Sequence, residues 1–289
     1  MKKGGLKVFI LLVAAFIFLL IGFSSKDASG NSTLTGEILM IIGGGILGFL
    51  LDKFLTFADE TDLFLTIPIL LNWNKNIRIS FAYLFRIQVD GTYFLVRGNK
   101  KKKFQPVGGV YQRYDGSNAI LRDIFQEDDE MKKGNEKDLR GKVKGKDLKK
   151  FIQWFESRQD REITCHREFK EELINSKILD KEKFEELHYS YLGTCKTDIF
   201  TSEYYGKEFL LADIYELELN DEQKKEFLSL KESYEKAENN SNLNYAFVNE
   251  DEIRRRHTLK RKMDDFEKDI NNHTYKILKG EYKWWNIMI

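Results

Sequence analysis

Hydrophobic positions along this chain come first as unbroken runs, then in alternation, then at helical spacing. From Leu6 to Phe23 the only charge is Lys7, and a second apolar run extends from Ile38 to Leu51, reaching Phe57 only past Asp52 and Lys53. As a helix the first run measures roughly 27 Å, close to the thickness of bilayer hydrocarbon. The pattern predicts a transmembrane hairpin over residues 1–57, with helices at about 6–23 and 36–57. A cleaved signal peptide is the rival for the first run. Ser24-Ser25-Lys26-Asp27-Ala28 is a poor cleavage site, however, and a second apolar run follows closely. Lys2, Lys3 and Lys7 precede the first run and Lys53 follows the second, whereas the loop between carries only Lys26 against Asp27 and Glu37. That asymmetry predicts both termini on the cytoplasmic side.

Residues 58–289 read as one domain. Phe64–Leu71 is an apolar run that fits either a first strand or an interfacial segment leading out of the membrane. Ile77–Val89 is rich in β-branched and aromatic residues, Asp90-Gly91 is a hairpin turn signal, and Thr92–Arg97 returns as the partner strand. The segment from about 115 to 150 is charged, lysine-rich and punctuated by Gly134, Gly141 and Gly145, which predicts a partly mobile insertion. Helical spacing resumes from Leu148 to about Ile178. Leu187–Thr194 and Glu208–Leu219 read as strands, Asp221–Lys236 as a helix capped by Asn220, Tyr245–Asn249 as a short strand, and Glu250–Asn271 as a helix. This order predicts an α/β sandwich, a mixed sheet between helices.

Composition adds exclusions. The mean hydropathy of −0.47 averages two regimes, and the 47 basic against 46 acidic residues give a net charge of +1. No global preference for a DNA or RNA polymer follows. Cys165 and Cys195 fit a reducing compartment.

Candidate chemistry is densest at Arg167-Glu168-Phe169-Lys170-Glu171-Glu172-Leu173. On a helix Glu168 lies one turn from Glu171 and Glu172, while Phe169 and Leu173 share a core-facing side. Crowded carboxylates attract a hard divalent cation such as Mg²⁺ or Mn²⁺, with Arg167 bracing one of them, and such a metal could hold a diphosphate. The plain alternative is a solvated glutamate-rich face with Lys170 as partner. Upstream, Gly108-Gly109 follows the strand hairpin.

Together these residues resemble the Nudix family, whose box reads G-x5-E-x7-R-E-U-x-E-E-x-G-U, with U a bulky apolar residue. Arg167, Glu168, Phe169, Glu171 and Glu172 match its second half, and Gly109 in Pro106-Val107-Gly108-Gly109-Val110-Tyr111 looks like its opening glycine. A long segment separates Gly109 from Gln159, which stands where the first glutamate belongs, and Ile174 replaces the later glycine. The box is therefore degenerate. The resemblance implies Arg167, Glu168, Glu171 and Glu172 as catalytic candidates, and Glu168, Glu171 and Glu172 as metal ligands, with Mg²⁺ possible but not required.

A Nudix-like domain behind an apolar hairpin resembles the two-transmembrane Nudix effectors of bacterial cyclic-oligonucleotide antiphage systems (CBASS), with a SMODS-associated Nudix-like domain. That resemblance implies an inner-membrane protein whose domain senses a cyclic oligonucleotide, oligomerises and disrupts the bilayer. A membrane-anchored Mg²⁺-dependent Nudix hydrolase of a nucleoside diphosphate derivative is the alternative, and an inert scaffold a third. Candidate ligand contacts are Gly108, Gly109, Lys102 and Lys103 of the basic 100–103 loop, Tyr111 and Arg113, with Tyr114 nearby. Gly44-x-x-x-Gly48 would allow close helix packing in a membrane. His166 and Arg254-Arg255-Arg256-His257 read as surface or structural. Trp284 and Trp285 read as core or interface.

Overall fold

The computed structural model describes the backbone of residues 3–27, 29–59, 63–98, 102–127, 137–202, 205–239, 242–260 and 268–280, and its described side chains exclude 3–13, 51, 53–59, 63–64 and 66. Trp284 and Trp285 lie outside the described residues. The chain divides into two compact units, Met1–Ile67 and Pro68–Ile289.

In the first unit, α1 (Lys3–Ser24) and α2 (Leu34–Asp59) pair antiparallel. Glycines set their separation. A Cβ on Gly36 would meet the Gly22 carbonyl at 2.8 Å, and one on Gly43 would meet the Ala15 carbonyl at 3.0 Å. Around Gly44 and Gly48 there is open space, so neither takes part in the hairpin's own packing. The apolar runs thus form the expected helices, but the membrane reading needs correction. Among the described residues no helix is long and apolar enough to cross a membrane, which overturns the transmembrane hairpin and the multi-pass inner-membrane location. In α2 the run from Ile38 to Leu51 is bounded by Glu37 and Asp52 and broken by Gly43, Gly44, Gly45 and Gly48. Its length of about 21 Å falls short of the roughly 30 Å of hydrocarbon. In α1 the Leu6–Val13 side chains of the expected span lie outside the described residues.

The boundary between units falls inside α3 (Leu63–Leu71), so the apolar run at 64–71 is not a strand but part of a short helix containing Pro68. Beyond it come β1 (Asn76–Arg86), β2 (Gln88–Val89), β3 (Thr92–Arg97), β4 (Phe104–Gln105), β5 (Gly108–Val110), α4 (Asn118–Leu121), β6 (Phe125–Glu127), β7 (Arg140–Lys144), α5 (Gly145–Glu156), α6 (His166–Phe169), β8 (His188–Lys196), β9 (Phe200–Ser202), β10 (Gly206–Glu218), α7 (Asp221–Lys236), β11 (Tyr245–Val248) and α8 (Glu250–Arg255). They form a mixed α/β sheet domain consistent with a Nudix-like fold. The larger sheet has order β6-β7-β1-β10-β8, with β5 also on β1 and β9 on β10, and the smaller has order β11-β3-β2 with β4 on β3. The central strand β1 runs parallel to β10, with Phe81 opposite Leu211, and antiparallel to β5 and β7.

Period-two alternation in β1 aligns Ile77, Ile79, Phe81, Tyr83 and Phe85, all fully buried, on one face. Phe81 meets Phe151 and Phe155 of α5 edge-on at 5.1 and 4.7 Å. Farther along, Phe85 meets Phe169 of α6 at 5.7 Å. Phe169 continues to Phe184, Phe184 to Phe227 of α7, and Phe227 to Phe94 of β3, at 5.8, 5.8 and 5.0 Å. This aromatic chain fixes the segment bearing Arg167 and the glutamates against the core. The opposite face carries cross-strand ion pairs, Arg78–Glu208 at 2.5 Å and Arg86–Glu216 at 2.8 Å.

Local signals account for most boundaries. Asp90 and Gly91 both adopt positive φ (50° and 74°), as a tight hairpin requires. Asn220 caps α7 through a reciprocal pair with Gln223. The helix expected over 250–271 ends instead at Arg255, because Arg256 turns left-handed (φ 62°). The 115–150 segment is more ordered than its composition predicts among its described residues. Leu139, Gly141 and Val143 alternate inward, β7 joins β1 in the main sheet, and a Cβ at Gly141 would strike the Gln126 carbonyl of β6.

Candidate functional site

The site is assembled where α6 gives way to a π-helical turn over Lys170–Ile174. The Asn175 amide bonds the Lys170 carbonyl at 2.8 Å, an i→i+5 closure that puts an extra residue into the turn. Phe169 and Leu173 are fully buried, as their spacing predicts. The three glutamates, by contrast, diverge.

Arg167 is the hub. Its Nη1 bonds Glu168 Oε1 at 2.6 Å, its Nη2 bonds the Val110 carbonyl at 2.7 Å, and its Nε and Nη2 reach Glu162 at 3.2 and 3.3 Å. Burial alone would lower the Arg167 pKa, but the bonds to Glu162 and the charge of Glu168 raise it, so the cation is held firmly. Glu162 is 5 % exposed and also accepts from the Gln112 amide at 3.1 Å. Counting back from Arg167 points to Gln159, which is exposed. The carboxylate that braces Arg167 is Glu162, three residues later. The sequence signal for it was only an acidic residue inside the loop before α6.

Glu172 turns inward. Its Oε2 accepts from the Gly108 amide at 3.0 Å, and burial pushes its pKa up to about 8, which keeps the carboxyl largely protonated at neutral pH. Burial raises Glu168 as well, against the pull of Arg167. Glu171 points outward, 53 % exposed, with Arg167 at 3.8 Å. The Gly108-Gly109 pair is shaped to this arrangement. Gly108 has φ 145° and lies against the Tyr83 carbonyl, and a Cβ on Gly109 would strike the Glu168 carboxylate.

This donor set does not fit a divalent cation. Glu162 and Glu168 serve Arg167, Glu172 is half-buried on the Gly108 amide and largely protonated at neutral pH, and Glu171 is the exposed member of the four. Among the described residues no group of three or more His, Cys, Asp or Glu converges as a metal site. No chemical step is therefore assigned to a metal here.

The other candidates are dispersed. Lys102 is exposed, with positive φ (52°), and its carbonyl accepts from Arg97 at 2.9 Å. Lys103 is half-buried, and its carbonyl accepts from the Gly98 amide at 2.8 Å. Lys100 and Lys101 lie outside the described residues. Arg113 turns to Asn118 and Glu127. Tyr111 is buried (1 % exposed) and donates to Asp213 at 2.8 Å. His166 stands edge-on to Tyr189 at 5.6 Å, and burial lowers its pKa. Arg254 pairs with Glu250 on the α8 surface at 2.7 Å.

The family model for the SMODS-associated NUDIX domain matches residues 76–278, from β1 through the C-terminal 3-10 turn. The chain belongs to that family. No curated protein and no solved structure matches it.

Proposed function

We propose that this protein is a nucleotide sensor of bacterial antiviral defence. Its Nudix-like domain holds a cyclic oligonucleotide second messenger without needing to hydrolyse it, and occupancy changes how copies of the chain associate. The observation that carries this reading is the internal saturation of the carboxylate cluster. Nudix-type hydrolysis needs carboxylates free to gather a metal at a diphosphate, and here they answer to Arg167 and the Gly108 amide. The fold remains suited to a nucleotide. The SMODS association of the family, and the resemblance to effectors of cyclic-oligonucleotide antiphage systems, support the ligand class. Binding can shift the protein's association only by the difference in affinity between its states.

The test uses the full chain with a panel of cyclic di- and trinucleotides in the presence of Mg²⁺, with calorimetry for binding, chromatography of the nucleotide afterwards, and light scattering for mass. The expected result is saturable binding, intact nucleotide and a mass change. Consumption of the nucleotide, abolished in Glu171→Gln, would replace the sensor with a Mg²⁺-dependent hydrolase. An absence of binding across the panel would refute the sensor.

A further inference from the structure

On the same face of the larger sheet, at its β10–β8 edge, is a cavity of about 180 Å³ walled by the end of α5 and the loop that follows it. Its floor is a connected polar network. Asp213, 8 % exposed, accepts from Tyr111 at 2.8 Å and from Thr194 at 2.5 Å. Thr194 meets the Tyr191 hydroxyl at 2.6 Å, and Tyr111 meets the Tyr215 hydroxyl at 3.3 Å.

Two backbone irregularities build this cavity. Tyr191 and Thr194 are three apart and in a regular strand would face opposite sides. The register of β8 on β10 slips so that Gly193 pairs with Ile214 and Tyr191 with Tyr215, leaving Leu192 as the extra residue. This bulge brings Tyr191, Thr194 and Lys196 to one cavity, the re-aiming that bulges perform beside binding sites. In the facing loop Arg158 and Asp160 both adopt positive φ (60° and 53°), uncommon for residues with a Cβ. The loop is held in that shape by the Tyr114 amide on the Asp160 carbonyl at 2.8 Å, and by the Arg161 side chain on the Phe155 and Glu162 carbonyls at 2.6 and 2.7 Å.

The result is a cationic rim. The Arg158 amide bonds the Phe155 carbonyl at 3.2 Å, and its guanidinium makes no hydrogen bond or ion pair among the described residues. Arg161 lies over the Phe155 ring at 3.8 Å, and its Nη2 makes no hydrogen bond among the described residues. Lys196 pairs with Glu156 at 3.1 Å. Beside these cations Tyr191 and Ile163 stand 54 % and 57 % exposed, apolar surface next to positive charge. The volume is below the roughly 300–1,000 Å³ that encloses a whole drug-sized ligand, so one moiety of a larger molecule enters.

We infer that this cavity, and not the carboxylate cluster, receives one phosphate-bearing unit of the nucleotide. Its phosphate lies between Arg158, Arg161 and Lys196, its base lies on Tyr191 and Ile163, and its sugar or base hydrogen-bond donors face Asp213 and Thr194. This rests on the sensor reading above and adds where the ligand sits. A consequence follows for Glu156, which competes with a phosphate for Lys196, so that removing its charge favours the ligand.

Calorimetry with cyclic di- and triadenylate on the full chain tests it, with thermal melting to certify each variant's fold. Arg158→Ala and Tyr191→Ala are expected to weaken binding about tenfold or more. Glu156→Gln is expected to tighten it about two- to threefold, and Glu171→Gln to leave it unchanged. If the wild type binds but folded Arg158→Ala and Tyr191→Ala variants bind equally well, the cavity assignment fails while the sensor survives. If neither adenylate nor any other member of the cyclic nucleotide panel binds the wild type, the sensor itself fails.

Discussion

Two polar clusters share one face of the larger sheet, and they use their charges in opposite ways. At the α6 turn, Arg167 is closed in by Glu162, Glu168 and a carbonyl, and half-buried Glu172 accepts from the Gly108 amide. At the β10–β8 edge, Asp213 satisfies two hydroxyls in the floor, while Arg158 and one nitrogen of Arg161 remain open to a cavity. The first cluster carries the recognisable motif yet is inward and self-satisfied. The second carries no motif, and its side chains line a cavity. The difference teaches that the residues of a motif can be engaged by one another while charges outside any motif line a cavity.

The sharpest way to break this contrast is Arg167→Ala. If the α6 cluster is structural, the substitution leaves Glu162 and Glu168 unpaired in partly buried positions and is expected to cost about 3–5 kcal/mol in chemical denaturation. A loss of under about 1 kcal/mol would show that the hub is dispensable. Next is Gly109→Ala, whose new methyl displaces the Glu168 carboxylate from Arg167, with an expected cost of about 1–3 kcal/mol by the same measurement.

Glu172 gives a pH signature. Its folded pKa of about 8 lies above the ordinary 4.5, so the folded state holds a proton that the unfolded state has released. Its contribution to stability is full below about pH 4.5 and is lost as pH rises towards 8, with a slope of at most about 1.4 kcal/mol per pH unit. Glu172→Gln is expected to flatten that part of the stability–pH curve, and an unchanged curve would show the carboxyl to be ionised in place. The smallest effect belongs to Glu171→Gln. At 53 % exposure it is expected to move stability by no more than about 0.5 kcal/mol, and a large change would return Glu171 to the centre of the site.

Much of the fold was legible because it rests on local rules. Enrichment in β-branched and aromatic residues located β1, strand-like runs located β8 and β10, Asp90-Gly91 located the hairpin, and Asn220 located the start of α7. Phe169 and Leu173 were legible as core from their spacing alone. What escaped was set by distant contacts. β7 is charged on one face and buried on the other, and nothing within residues 140–144 announces a partner strand sixty or more positions upstream. The apolar runs of the first unit gave the helices correctly and their membrane role incorrectly, since glycines and flanking charges shorten the effective stretch of α2.

The candidate site was half legible. Motif spacing found Arg167 and its glutamates, but not the π turn that separates them, nor Glu162, which reaches Arg167 from a loop. The Asp213 cavity was not legible at all. Its residues come from the end of α5, the loop after it, β8 and β10, and a bulge makes their spacing misleading. Tyr111, a candidate ligand contact by sequence, is buried and donates to Asp213 in the floor.

Hydrogen exchange on the full chain, with and without a bound cyclic oligonucleotide, tests the central contrast most directly. Ligand is expected to slow exchange across residues 157–163 and 189–196, while leaving 166–174 as protected as before. Slowing confined to 166–174, with the loop and β8 unchanged, would place the ligand on the carboxylate cluster and contradict this account.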